Sequence, residues 1–506
     1  ILLVTIALAT ATSQLLSSSA IEAGTYWLVL LMGGGPVLLF GWFCLALHHL
    51  FRHSLIAGVV GLLLLIVKFT PVLNLAGISH PLLDIAGTPL QPLDALIGFS
   101  RSASTFAPYA LVWVILALSA LGLAIIMSHR GTGLSLVKLR HLPISGFLIA
   151  GLMVCTVSAF HLQLKGEKPQ MSADARYALR ADYEKQFSYW EAVPQPIVTH
   201  IEANVDFYPE ARQASLSLDM QLTNVTTSPI TEILIGSFPG FTPQSLTLDG
   251  ANLSFQDTQL HQYVFTPAAP LMPKDSITLH ATIQVDGASL WLPAGHQVLL
   301  PEFGYLRAIP MLPYVGFNRQ YTLRDEQTRL QFGLPELNMA QPSTFATHPP
   351  TTKPSSRPIT LHSKVSAPLS HSVVAQGTKV HEWQQDGRRY VEFKTVTPIR
   401  NIPVWLTSIQ TPLSSVIKLS THSVNVHYIG LGDTPTGAPS SDAHAIHELA
   451  VSDTLQWFSN TLIPYPYSDL SLVFIPEIGP SGYALPQVIL MSHRLAVRAR
   501  PADDAG

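Results

Sequence analysis

The sequence predicts a multi-pass α-helical membrane domain, then an all-β region, then a short α+β segment. Three observations carry that prediction. Charged residues make up 12% of the 506 residues, about half the usual share, and the deficit is concentrated between Ile1 and Lys165. From Gln195 to about Leu419, apolar and polar residues alternate in short runs separated by turn signals. Beyond Ser423 a strand, a long amphipathic run and two more strands follow.

In the first part, residues 1–165, apolar runs long enough to cross a bilayer, about 20 residues each, occur near 1–16, 26–48, 54–75, 107–128 and 144–164. They predict a transmembrane region of about five helices. Arg52 in the loop His48 to His53, and Arg130, Lys138 and Arg140 between Ser128 and Pro143, mark two loops as cytoplasmic by the positive-inside rule. The loop Ala76 to Phe106, with only Arg101, falls on the far side. The fifth span then delivers everything after Lys165 to the periplasmic or extracellular face. Lys68, near a span end, is read as snorkelling to the interface. His48, His49 and His53 are read as a solvated border loop. The lipid bilayer is thus an expected partner.

The chain starts Ile1-Leu2-Leu3-Val4, with neither a methionine nor a basic n-region, so it is not a signal peptide. Truncation at both ends is the expectation. A net charge of -3 and the lack of a basic run with interleaved aromatics exclude nucleic acid as a partner. Cys44 and Cys155 both lie in apolar stretches, so no disulfide is available after Lys165.

Residues 166–194 read as a linker helix. Tyr177, Leu179, Tyr183, Phe187 and Trp190 are spaced to form one apolar stripe. Residues 195–420 read as β-rich: Ile201, Ala203, Val205 and Phe207 share one face of a strand, and Leu216, Leu218, Met220 and Leu222 one face of the next. Ala340 to Pro358, rich in Pro, Ser and Thr, reads as an exposed loop. In 421–506 a helix over about Ser441 to Leu462 ends before Pro464, with Ile446, Leu449, Ala450, Trp457, Phe458 and Leu462 as its buried side.

That helix contains His444, His447 and Glu448. The His-Glu-x-x-His arrangement sets two imidazoles one turn apart on one helix face, with the glutamate acting on a metal-bound water. Here Leu449, Ala450 and Val451 follow Glu448, so the second imidazole is missing. A solvent-facing side is the plainer reading of both histidines. Neither a Gly-x-x-x-x-Gly-Lys-Ser/Thr loop nor a Gly-x-Ser-x-Gly elbow occurs.

Leu455-Gln456-Trp457-Phe458, Ile463-Pro464-Tyr465-Pro466 and Leu472-Val473-Phe474-Ile475-Pro476-Glu477 resemble the opening of the catalytic domain in the membrane alanyl aminopeptidase family of gluzincin zinc metallopeptidases. Ile197 to Pro209, with strand pairing through Asn224, is similar to that family's β-rich N-terminal domain. The resemblance spans about Gln195 to Gly506. It implies an all-β N-terminal peptidase-type domain at 195–420 and the truncated α+β beginning of a thermolysin-like catalytic domain at 421–506. With the apolar runs before it, the arrangement resembles a bacterial branch fused to an ABC-transporter-type permease, located in the inner membrane. A separately encoded ATP-binding subunit is then a candidate partner.

The resemblance further implies a peptide substrate and zinc in the full-length protein. The zinc motif is expected beyond Gly506, with no metal or catalytic residue in the present chain, which alone is expected to be inactive. Family members carry Gly-x-Met-Glu-Asn, whose glutamate binds the free α-amine. This chain reads Ser481-Gly482-Tyr483-Ala484-Leu485-Pro486, so Ala484 or Leu485 stands in that glutamate's place. Gly482, Tyr483, Ala484 and Leu485 are the substrate-binding candidates, with Val488 to Met491 expected as the sheet edge that a peptide joins. The function that follows is a membrane-anchored zinc metallopeptidase hydrolysing peptides outside the membrane. The alternative is an ABC-transporter permease or peptide-binding subunit with a non-catalytic peptidase-like module.

Overall fold

The computed structural model describes residues 5, 8–13, 23–50, 53–70, 107, 110–122, 151, 173–286, 297–336, 357–430, 441–475 and 482–492. The chain divides into two compact units, one formed mainly by residues before Arg176 and the other mainly by those after it.

The first unit overturns the expected multi-pass membrane domain. Among the described residues no helix is long and apolar enough to cross a membrane. The helix Ser54–Phe69 has 16 residues, about 24 Å at 1.5 Å per residue, against a hydrocarbon core of about 30 Å. The helix Ala23–Leu50 has 28 residues, with Pro36 inside it. His48 belongs to this helix and not to a loop, and His53 caps the next helix without a side-chain bond. Lys68 sits in that helix's last turn. Leu39, Trp113 and Ala117 form a small core, with Phe43 meeting Trp113 edge-on at 5.7 Å. The expected spans 1–16 and 144–164 and the loop Ala76 to Phe106 lie largely outside the described residues. Placing the residues after Lys165 outside a membrane depended on counting five spans, and that count finds no support among the described residues.

The second unit begins with the helix Ala173–Phe187, which runs into a 3-10 turn, Ser188–Glu191. Leu179, Tyr183, Phe187 and Trp190 are buried against Leu234, Leu260 and Val264, so the helix is packed on the β structure along its stripe. Tyr177, at the start of the stripe, stays 40% exposed. The Tyr183 hydroxyl accepts from Asn318 N at 2.8 Å, and burial pushes the phenol up to about 12.

An eight-stranded sheet follows. Its main path runs, edge to edge, Thr378–Gln385, Arg388–Lys394, Pro358–Pro368, Ile197–Tyr208, Gln213–Thr223, Ser276–Asp286 and Ser245–Leu248, and Ile399–Arg400 pairs off it. Period-two alternation decides its inner face: Ile201, Ala203, Val205, Phe207, Leu216, Leu218, Met220 and Leu222 are all fully buried. A four-stranded sheet around Ile233–Gly236 and Gln262–Pro267 contributes to the same core. The Asn224 side chain is fully buried and donates to Leu271 O at 2.8 Å and Ser228 O at 2.9 Å. It is a structural clasp that ties its own strand end to Ser228 and Leu271. The stretch 337–356 lies outside the described residues.

On the other face of this sheet His280 bridges two carboxylates, with Nδ1 at 2.6 Å from Asp219 and Nε2 at 3.1 Å from Asp249. The bond to Asp219 is the main cause that raises its pKa, against a smaller effect of burial. A raised folded pKa contributes stability that is complete below the unfolded value, about 6.5, and is lost as pH rises through the folded one. The loss in thermal midpoint from His280→Gln is therefore expected to be largest in acid and to vanish in alkaline buffer. Thermal melts of both proteins across that range check it.

Two further sheets position the candidate site. One is four-stranded, in the order Ser372–Ala375, Val404–Ser408, Phe303–Arg307, Gln297–Leu299; the other is five-stranded, in the order Leu413–Lys418, Ser423–Ile429, Asp469–Ile475, Val488–Ser492, Gly482–Leu485. In the latter, the three central strands are parallel and each outer strand is antiparallel to its neighbour. The strand Asp469–Ile475 is apolar on both sides because both faces are covered. Leu470, Leu472 and Phe474 meet Leu455 of the helix Ser441–Thr461, while Val473 and Ile475 pack with Phe303, Tyr305, Val404 and Leu406 of the four-stranded sheet.

Candidate functional site

The structure gathers Gly482, Tyr483, Ala484 and Leu485 into one short strand, and that strand is the edge of the five-stranded sheet. This corrects one sequence expectation. Val488–Ser492 is an inner strand, covered by Gly482–Leu485 through a two-residue turn at Pro486 and Gln487. Gln487 takes a positive φ of 63 there, which closes the turn tightly enough to fold the chain back.

The direction of the backbone groups at this edge follows from the strand register. Ser471 N donates to Gln487 O at 2.9 Å, so Gln487, Ile489 and Met491 bond toward Asp469–Ile475. Val488 and Leu490 therefore bond toward Leu485 and Tyr483. Ala484 and Gly482, opposite Ile489 and Met491, turn their N–H and C=O groups to the open side. Both are exposed, whereas Tyr483 and Leu485 are partly buried against the apolar layer between the two sheets. Among the described residues the edge thus presents backbone donors and acceptors that no strand pairs, with small residues where a chain would approach.

Tyr483 also holds a residue that sequence reasoning missed. Arg307, the last residue of Phe303–Arg307, places its guanidinium carbon 4.2 Å from the Tyr483 ring centroid. Its Nη1 donates to the Tyr483 hydroxyl at 2.7 Å. The signal for it was present in the sequence as a single charge in the otherwise apolar run Phe303 to Leu312.

The helix Ser441–Thr461 presents a different face to the sheet from the one its composition predicts. Leu449, Trp457, Phe458 and Leu462 are 64%, 56%, 48% and 63% exposed, while His447 is buried. The His447 ring lies 5.0 Å from Phe474, and His444 meets Tyr428 edge-on at 4.8 Å. The stripe that sets imidazoles on these aromatic rings, with Val451 one turn and Leu455 two turns on from His447, wins over the larger apolar arc. Both histidines therefore leave the solvent-facing side expected of them.

The described residues do not fit the zinc that the resemblance implies. His444 Nε2 is buried without a hydrogen-bond partner, His447 is turned onto Phe474, and among the described residues no group of three His, Cys, Asp or Glu side chains could hold a metal. No hydrolytic step is assigned to these residues.

The Pro464 to Ser468 segment is a brace. Tyr465 N donates to Ser459 Oγ at 3.2 Å and the Tyr465 hydroxyl donates to Asp469 O at 3.2 Å, linking the helix end to the strand that follows. Burial raises the Tyr465 phenol pKa. His422 Nε2 meets Tyr467 O at 3.0 Å. Together with Thr378 and Val396 these residues line an open depression of about 440 Å³ that holds no acid or base pair.

No protein-family model matches the chain, and no curated protein matches it. Among solved structures it is similar to an M1 zinc metallopeptidase from Deinococcus radiodurans, at 15% identity and a TM-score of 0.40, over 60% of this chain and 63% of that one. It is also similar to a mutant of a Deinococcus radiodurans M1 zinc metallopeptidase bound to a Tyr-Ser-Ala substrate, at 14% identity and a TM-score of 0.40, over 59% of this chain and 61% of that one. The chain spans about three fifths of the length of the solved structures it matches.

Proposed function

We propose that residues 176–492 form a peptidase-type module of the zinc metallopeptidase class and that its Gly482–Leu485 edge holds an extended peptide. The observation that carries this is the open backbone of Gly482 and Ala484 on an exposed strand edge, the feature by which a sheet accepts an added strand. The residues from Leu455 to Glu477 that resemble a gluzincin catalytic domain support the class. In this reading Gly482 and Ala484 pair with the peptide main chain. Tyr483 and Leu485 anchor the edge to the layer beneath.

A second reading is a module that holds peptides without cleaving them. One observation favours it: neither the Ala484 nor the Leu485 side chain can pair with a free ammonium. Both readings share the edge.

Ala484→Pro tests that edge. Proline is accepted on an outward-facing edge position but removes the donor and blocks an incoming strand. The full chain is expected to bind a fluorescein-labelled extended peptide saturably, and Ala484→Pro to abolish binding while the circular dichroism spectrum is retained. A variant that binds as well as the parent overturns the proposal. Turnover that depends on added zinc would favour the enzyme, whereas binding without turnover by this chain is expected on both readings.

A further inference from the structure

We propose that Arg307 is a specificity-determining residue that reads a carboxylate on the peptide held at the Gly482–Leu485 edge. This rests on the edge reading above and adds the substrate class: acidic peptides.

Arg307 lies against Tyr483 with its planar group over the ring. It is partly buried, and among the described residues its guanidinium has Tyr483 as its hydrogen-bond partner and forms no ion pair. Its Nε is buried without a partner, and so is the hydroxyl of Tyr305 on the same strand. Arg329 offers the contrast, with a carboxylate gripped at 2.6 Å. A guanidinium drawn partly out of water and left without an anion is costly, and a carboxylate arriving from outside relieves that cost. The Tyr483 ring and hydroxyl fix the planar group, so little freedom is lost when an anion binds.

The position makes the reading specific. Tyr483 and Leu485 point to the face where Arg307 lies, whereas Gly482 and Ala484 stand on the other. A peptide added along this edge alternates its side chains above and below the sheet, so every second one is directed to the Arg307 side.

The test measures binding of four labelled peptides of alternating sequence to the full chain: Glu or Gln at the alternate positions, each with a free or an amidated C-terminus. The Glu peptide is expected to bind about tenfold more tightly than its Gln counterpart, the size of one charge-assisted hydrogen bond. Arg307→Gln should erase that ratio, whatever it does to the binding of the Gln peptides, while Arg307→Lys should keep part of it. If the preference follows the free C-terminus instead and is lost in Arg307→Gln, the same residue reads the terminal carboxylate. Equal binding of all four peptides to the parent chain overturns the assignment of Arg307 but leaves the edge reading intact. A ratio that survives Arg307→Gln does the same. Failure of every peptide to bind the parent chain overturns both. The four-peptide comparison on the parent chain needs no variant to fold.

Discussion

Arg329→Ala is expected to destabilise the second unit by about 3–5 kcal/mol, the usual cost of breaking a buried ion pair from one side. Asp325 caps the short helix Glu326–Gln331, accepting from Thr328 N at 2.8 Å and Thr328 Oγ1 at 2.6 Å. Those two bonds lower the Asp325 carboxyl pKa and set the helix so that Arg329 points inward. The Arg329 side chain is 3% exposed. Nη2 and Nη1 donate to the two oxygens of Glu184 at 2.6 and 2.9 Å, Nη1 also to Leu323 O at 2.7 Å, and Nε to Pro335 O at 2.9 Å.

Truncation leaves the Glu184 carboxylate, 13% exposed, without its counter-charge and two carbonyls without donors. Glu184→Leu combined with Arg329→Leu should recover part of the loss, because the stranded charge goes with its partner. Urea unfolding followed by far-UV circular dichroism measures both. A loss below about 1 kcal/mol in Arg329→Ala, the range of exposed pairs, would refute the buried-clasp account.

Trp405→Ala is expected to cost about 3–5 kcal/mol, the range for emptying an aromatic site in a packed core. Trp405 is fully buried in the main apolar cluster. It lies on Val404–Ser408, between Ser372–Ala375 and Phe303–Arg307. Its Nε1 donates to Ser363 Oγ at 2.9 Å, so truncation adds a stranded hydroxyl to the cavity. Trp405→Phe keeps most of the volume and loses only the bond, and its cost should be the smaller. The unfolding midpoints of the two variants give the comparison. Equal midpoints would mean that the bond to Ser363, and not the volume, dominates.

The β region was legible because period-two alternation is a direct consequence of strand geometry. Ile201 to Phe207 and Leu216 to Leu222 declare their inner face without reference to the rest of the chain. Very short strands such as Gln297–Leu299 and Tyr314–Val315 are too brief to show a period. The helix Ser441–Thr461 was legible in extent but not in orientation: its hydropathy favoured the arc through Trp457 and Phe458, whereas the contacts were decided by imidazole rings meeting Tyr428 and Phe474. The membrane reading failed for a different reason. Apolar composition does not specify how many consecutive residues a helix keeps, and the helix that begins at Ser54 already ends at Phe69. Gly482 to Leu485 are contiguous and so can be proposed together from sequence, whereas the contact of Arg307 with Tyr483 is invisible there. Arg307 lies 176 residues from Tyr483 along the chain, and only the pairing of distant strands makes them neighbours.

The edge strand has a consequence for solution behaviour. A row of unpaired amides invites any strand, including that of a second molecule, and long flat edges polymerise. Gly482–Leu485 has 4 residues and ends at Pro486, which offers no amide hydrogen, and the chain turns away at Gln487. So brief a template can dock one ligand strand, yet it offers too few rungs for copies of the protein to zip together. Brevity at this position therefore separates recognition from fibre formation.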